Sequence, residues 1–215
     1  MMKEEFIEEL KGEPGTDLPT ANDAFDSRKY KRESGEKAAQ LILGMTGEDV
    51  RREGLLRTPH RFAKAFDHLF QGYDLNPQTA VGEGVFDSEG KGLVSVENVE
   101  FYSMCEHHLL PFWGTATVAY FPDKKILGLS KIPRLLETYA RRVQVQERIT
   151  EQVAAAIQEL IAPRAVLVQV KAQHLCMMMR GVEKQTSFTL TEKVEGFDSL
   201  QAHEQQQFLS LMGRR

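Results

Sequence analysis

Three of the six histidines in this 215-residue chain lie within three residues of a cysteine, and the chain has only two cysteines. One cluster is Cys105-Glu106-His107-His108; the other is His174-Leu175-Cys176. Thiolate sulfur and imidazole nitrogen together suit a borderline-soft cation such as Zn2+. Read as parts of one strand, His174 and Cys176 are two residues apart and project from the same face. Cys105 and His108 are three apart where a strand is expected to end, so a turn lets both reach one ion. A structural zinc site is closed by four protein ligands. Two cysteines with one or two histidines instead fit a catalytic site of three ligands and an open position. Two other readings stand beside this one. The clusters could be unrelated structural pockets, since a buried cysteine is usually a small hydrophobe. They could hold a Cys–His nucleophile pair, although nothing marks an oxyanion hole or an orienting third group.

Composition narrows the partners. With 41% hydrophobic and 27% charged residues, the chain is an ordinary globular one and not a wholly disordered one. A net charge of −4 argues against a nucleic-acid surface, but leaves room for a local anion pocket. No run approaches the ~18 consecutive apolar residues of a membrane span. The first residues, MMKEEFIEELKG, are acidic and lack the apolar core of a secretory signal. Two cysteines are too few for a disulfide scaffold, so a reducing, cytoplasmic setting is expected.

The elements that must position these groups follow from periodicity. Residues 1–34 carry 15 charged side chains, interrupted by Gly12, Pro14, Gly15 and Pro19. They read as a short acidic helix near 3–10 and a mobile linker ending near Gly35. A helix is expected from Glu36, with Ala38, Leu41, Ile42 and Met45 at helical spacing. A second follows Thr58 as N-cap and Pro59 at the first position. Its apolar stripe is Phe62, Phe66, Leu69 and Phe70, and Gly72 is its expected stop. Arg61, Lys64 and His68 lie on the opposite side, a pattern that spacing alone assigns to a solvated face. Residues 82–92, GEGVFDSEGKG, imitate a phosphate loop. They lack the G-x-x-x-x-G-K-[ST] spacing, and the strand-like LVSVENVEFYSM follows them instead of a helix, so they read as a flexible turn.

Further along, TATVAYF (115–121) reads as a strand stopped by Pro122. Ser130 is the expected cap of a helix whose inner stripe is Ile132, Leu135, Leu136, Tyr139, Ala140 and Val143. Another helix spans about 146–161, burying Ile149, Val153, Ala156, Ile157 and Leu160 before Pro163. The clearest strand is 165–177, with Val166, Val168, Val170, Ala172, His174 and Cys176 on one face. A strand over 186–194 and a polar helix near 198–212 close the chain. The sum is an α+β domain, antiparallel strands with two consecutive long helices on one face, preceded by N-terminal helices.

Four segments go further. TPHRFAKAF (58–66), FYSMCEHHLLPF (101–112), GLSKIPRLLETYARRVQVQERIT (128–150) and HLCMMMRGVEKQTS (174–187) resemble, in order, the motifs of the zinc-dependent GTP cyclohydrolase I family. The resemblance runs from about residue 36 to the end, and implies one catalytic domain over 35–215. Its helical part would be about 35–75, and its tunnelling-fold part about 93–215. Pro133 and Trp113 depart from the commoner residues at variable positions. The implied reaction turns GTP and water into formate and 7,8-dihydroneopterin triphosphate, the entry to pterin and folate synthesis. Carried over, Cys105, His108 and Cys176 match the zinc ligands, while His107 and His174 remain unligated for proton transfer. Zinc lowers the pKa of bound water toward ~7, which suits attack on purine C8.

By the same resemblance Glu147 reads guanine together with Gln146, Ser130 stands near the ribose, and Gln146 and Ser130 join His107 and His174 as expected catalytic residues. Lys131, Arg134 and Arg180 match the triphosphate grip, joined by Arg61 and Lys64, which reverses the solvated-face reading of that stripe. Family members form ring-shaped homodecamers with active sites between subunits, so zinc residues and clamp can come from different chains. Two other functions compete: a zinc- or nucleotide-binding module without turnover, and a relative acting on another pterin or deazapurine. The Cys-His-Cys trio with Glu147 weighs against the second.

Overall fold

The computed structural model describes residues 27–213. They divide into two compact units between Ala65 and Phe66, and the expected acidic helix near 3–10 lies outside the described residues.

In the first unit, helix α1 spans Ser27–Met45 and helix α2, Thr58–Leu69, begins there and runs on into the second unit. Helix α1 therefore starts nine residues before the expected Glu36, because Arg28, Lys29, Lys31 and Glu33 are residue types that favour helix. Gly35 is no linker end. A Cβ there would lie 3.0 Å from the Ala63 Cβ, so glycine at this helical position permits a close approach that offsets its poor propensity. Thr58 is already helical, and its hydroxyl donates backwards to the Gly54 carbonyl at 3.4 Å instead of capping.

The second unit carries the site. Its five-stranded sheet has the order β5-β2-β3-β6-β7, from β2 Val94–Cys105, β3 Pro111–Phe121, β5 Val143–Gln144, β6 Ala165–His174 and β7 Thr189–Glu195. All neighbours are antiparallel except β5, which lies parallel to the end of β2. The turn at 82–92 is structured: β1 Val85–Asp87 pairs with β4 Lys125–Leu127. No helix opens after Lys91-Gly92, so the phosphate-loop imitation is empty of that function. A short helix, α3 Pro77–Val81, precedes β1.

Helix α4, Lys131–Ala140, and helix α5, Gln146–Ile161, bury the expected stripes. Ile132, Leu135, Leu136, Ile149, Val153 and Ile157 are fully buried against Val166, Val168 and Val170 of β6. This is the antiparallel sheet and paired-helix arrangement of the tunnelling fold. Two details differ from the expected pattern. Val143 belongs to β5 and not to the helical stripe, because Arg142 turns the chain out of the helix. Its guanidinium donates to the Gly72 carbonyl at 3.0 Å and the Leu75 carbonyl at 3.2 Å. Gly72 is correspondingly not a simple stop but sits in a 3-10 turn, where a Cβ would meet the Arg141 carbonyl oxygen at 2.7 Å.

Among the described residues, the opposite face of the sheet is covered at one end only. Helix α7, Ala202–Met212, lays Phe208 and Leu211 on Ala119, Phe121, Ala165 and Leu167. Glu204 of α7 takes both forks of Arg164, at 2.7 and 3.1 Å, and that guanidinium holds its carboxyl below the ordinary range. The chain reaches α7 through a 3-10 turn at Phe197–Ser199, which replaces the first residues of the expected helix.

Candidate metal centre and active site

Cys105 ends β2, where its N–H donates to the Leu110 carbonyl at 2.9 Å. The chain then reverses: His108 and Leu109 N–H groups return to the Cys105 carbonyl, and Leu109 takes a left-handed φ of 51°. Strand β5 closes the other flank, with Cys105 in register with Gln144 and the Glu106 N–H on the Gln144 carbonyl at 3.0 Å. An ion pair, Arg148 to Glu106 at 2.7 Å, ties this turn to the first turns of α5. Neither Glu106 nor Arg148 was assigned a role by the sequence. Their 42-residue separation gives no local signal.

Cys176 arrives differently from expectation. Strand β6 stops at His174, whose pairing partner Phe112 is almost the first residue of β3, so the ladder has nothing further to pair with. Residues Leu175–Met178 form a helical turn, α6, and Cys176 projects from it instead of sharing a strand face with His174. The ligand atoms of Cys105, His108 and Cys176 then lie within 4.8 Å of one another, the single such group of three among the described residues. The two sulfurs sit in one cluster, so the alternative of two unrelated cysteine pockets fails. Burial and the neighbouring Cys105 push the Cys176 thiol up. Two thiols this close ionise together only when a cation compensates them, and S,S,N donors match zinc. The residues present fit the metal.

His107 approaches the Cys105 sulfur through Nδ1 at 3.7 Å, closer than His108 Nδ1 at 4.0 Å, yet it is not a member of the three-group cluster. It stays largely exposed, with Nε2 3.9 Å from Glu106. His174 is half-buried and stacked on Phe112, ring centroids 4.5 Å apart and planes 5° from parallel. Burial pushes its pKa down, opposed by the negative charge of Glu147. Gln146, expected as a catalytic residue, is buried, and its side chain is wholly engaged within the protein, with Oε1 2.9 Å from His174 Nε2. Glu147, the next residue, is exposed in the first turn of α5. Arg180 comes from beyond α6 and donates to His108 Nε2 at 2.8 Å.

These eight residues share one corner of the unit. Ser130, Lys131 and Arg134 do not. Strand β3 leaves the metal corner at Pro111 and reaches the far end of the sheet at Phe121, ten residues later. There the Leu127 N–H donates to the Tyr120 hydroxyl at 3.0 Å, and α4 starts four residues on. Helix α4 then spends its ten residues, about 15 Å, travelling back toward β5. Ser130 is exposed and makes no capping bond, contrary to expectation, because its own backbone is already helical. Lys131 lays its stem across Gly84. Arg61 and Lys64 are exposed on α2, in the first unit.

The profile of the GTP cyclohydrolase I family matches residues 35–213. A protein named GTP cyclohydrolase 1 from Leptospira biflexa is 50% identical over 82% of this chain and 97% of its own. The chain belongs to the GTP cyclohydrolase I family. Its relatives of the same name include one from Campylobacter concisus, 47% identical over 84% of this chain and 95% of its own. Another, from Deinococcus radiodurans, is 52% identical over 78% of each chain. Among solved structures, the archaeosine synthase QueF-Like in the apo form has a TM-score of 0.41 and 16% identity, covering 50% of this chain and 97% of that one. For a GTP cyclohydrolase I family member, the corner built from β2, α5, β6 and α6 is the enzyme's candidate reaction centre. No helix among the described residues is long and apolar enough to cross a membrane.

Proposed function

We propose that this chain, in the cytoplasm, hydrolyses GTP at purine C8, releases formate and, after ribose rearrangement and ring closure, yields 7,8-dihydroneopterin triphosphate. One observation carries the reading: a Cys105–His108–Cys176 cluster flanked by two further histidines and an exposed glutamate, in a family member about half identical to enzymes of that name. Zinc is the proposed metal, and when bound it supplies Lewis acidity and a water acidic enough to attack at neutral pH.

The chain's own residues do the rest. His107 is exposed beside the cluster, and His174 is half-buried, with burial pushing its pKa down. Both are proposed to carry protons between water, ring nitrogens and ribose. Glu147 offers an exposed carboxylate that accepts from the guanine N1–H and 2-amino group. Adenine has neither donor in that arrangement and leaves the acceptor unpaired. Arg180 reaches the rim of the metal cluster, where it meets the triphosphate. Ser130 is proposed for the ribose, and Lys131, Arg134, Arg61 and Lys64 for the phosphates. The separation of Ser130, Lys131 and Arg134 from the metal corner by the length of α4 supports a site completed by neighbouring chains, as in a homodecamer.

Zinc-loaded protein given GTP is expected to release one formate per turnover and, after oxidation, a fluorescent pterin; neither product would leave a binding module without turnover. Glu147→Gln keeps the shape and loses the charge. Charge-assisted hydrogen bonds contribute ~1.5–3 kcal/mol, so kcat/KM for GTP falls by about 10- to 150-fold. Titration of GTP binding by calorimetry checks this, and an unchanged affinity removes Glu147 from the guanine site.

A further inference from the structure

Gln146 is a polar side chain only 2% exposed, and every atom of its carboxamide is spoken for. Nε2 lies 2.8 Å from the Val170 carbonyl oxygen, 3.1 Å from the Thr189 carbonyl oxygen and 3.2 Å from Thr191 Oγ1. The two carbonyls have no hydrogen to give, so the group facing them is the NH2. The hydroxyls agree independently. Thr150 Oγ1 donates to the Gln146 carbonyl at 3.0 Å, so its one hydrogen is used. In the 2.6 Å contact between Thr150 and Thr191 hydroxyls, Thr191 must then be the donor. Thr191 has no second hydrogen, and it accepts from Gln146 like the carbonyls. A flipped amide would set its oxygen against three acceptors inside the protein, an arrangement with no compensating bond.

The consequence passes to the imidazole. With the NH2 committed, the atom at 2.9 Å from His174 Nε2 is Gln146 Oε1, an acceptor only, and Nε2 must carry the hydrogen. In its neutral form the ring then has its lone pair on Nδ1. Stacking on Phe112 fixes the ring plane, so tautomer and orientation are both set. We infer that Gln146 is a positioning residue that holds His174 in the Nε2–H tautomer, leaving Nδ1 as the ring's open proton acceptor. Sequence resemblance puts Gln146 beside Glu147 in the guanine site; the geometry points instead to a residue that acts through His174. The catalytic meaning of this tautomer rests on the proposed function, whereas the tautomer itself does not.

The test is a nitrogen-15 solid-state NMR spectrum of the metal-loaded protein labelled in histidine, with His174 assigned by its absence from His174→Gln. At a pH alkaline enough for the ring to be neutral, expected is protonation at Nε2 with Nδ1 bare; the reverse pattern, or an even mixture, overturns the inference. Gln146→Met, nearly isosteric and without hydrogen bonds, is expected to give a mixed tautomer population. Its kcat should fall roughly 10- to 100-fold, the range seen when orienting partners are removed, with KM for GTP and metal content nearly unchanged. A variant that loses only thermal stability while His174 keeps the Nε2–H signal also overturns it. The wild-type spectrum decides the matter even where the variant fails to fold. Absence of formate release with the expected spectrum counts against the proposed function alone.

Discussion

His108→Ala is expected to leave the protein without stoichiometric metal and without formate release, whereas His107→Ala keeps the metal and loses turnover. Distance to Cys105 does not separate the neighbours, since His107 Nδ1 is the nearer, 3.7 Å against 4.0 Å. What separates them is the third group. Only His108 lies with both sulfurs inside one 4.8 Å cluster, because the turn held by Leu109 and the Cys105 carbonyl swings the second histidine toward α6. Removing one of three ligands leaves two thiols with no nitrogen donor. Removing His107 takes away a proton carrier, and the loss of a general acid or base costs about 10²–10⁴-fold in rate. Metal content by mass spectrometry, measured beside formate release on the same preparations, distinguishes the two variants. Equal metal loss in both would falsify the partition of the histidines.

Periodicity placed the core well and its ends poorly. Ile132, Leu135, Leu136, Ile149, Val153 and Ile157 were legible as inner stripes because burial alone sets a 3.6-residue repeat, and all six are fully buried. Errors fell where a long-range partner decides. Cys176 leaves the strand pattern because β3 runs out at Pro111, and Val143 leaves the helical pattern because Arg142 binds carbonyls about 70 residues away. Neither fact has a local trace. Likewise, α7 covers one end of the second sheet face, a layer that a polar, weakly patterned segment does not advertise.

The site divides along the same line. Residue types and spacing singled out the two Cys/His clusters, and the resemblance sorted their ligands. The contacts those clusters make cross 28 residues from Gln146 to His174, 42 from Glu106 to Arg148 and 72 from His108 to Arg180. The resemblance pairs Gln146 with Glu147 at the guanine, but successive helical residues point about 100° apart. One faces the sheet and the other faces solvent. The net charge of −4 excluded a broad polyanion surface and still allows a basic pocket, because Lys131, Arg134 and Arg180 need only converge locally.

The proposed convergence between chains has a direct consequence. Cys176→Ala destroys the metal cluster and the double variant Lys131→Met with Arg134→Ala destroys the proposed clamp, so each homo-oligomer alone is expected to be inactive. Within one chain these residues stand at opposite ends of α4. If each active site joins the metal corner of one subunit to the α4 start of a neighbour, mixing restores sites whose two contributors are both intact. For equal co-expression and random assembly about one quarter of sites qualify, as follows from a heterologous interface in a closed ring. The expected recovery is about a quarter of wild-type formate release per chain, a rise from near zero that background activity does not imitate. Separately assembled oligomers, mixed without subunit exchange, stay inactive and supply the control. Recovery absent from a demonstrably mixed oligomer would mean that cluster and clamp come from the same chain, and that the reach of Lys131 and Arg134 must then be sought across α4 itself.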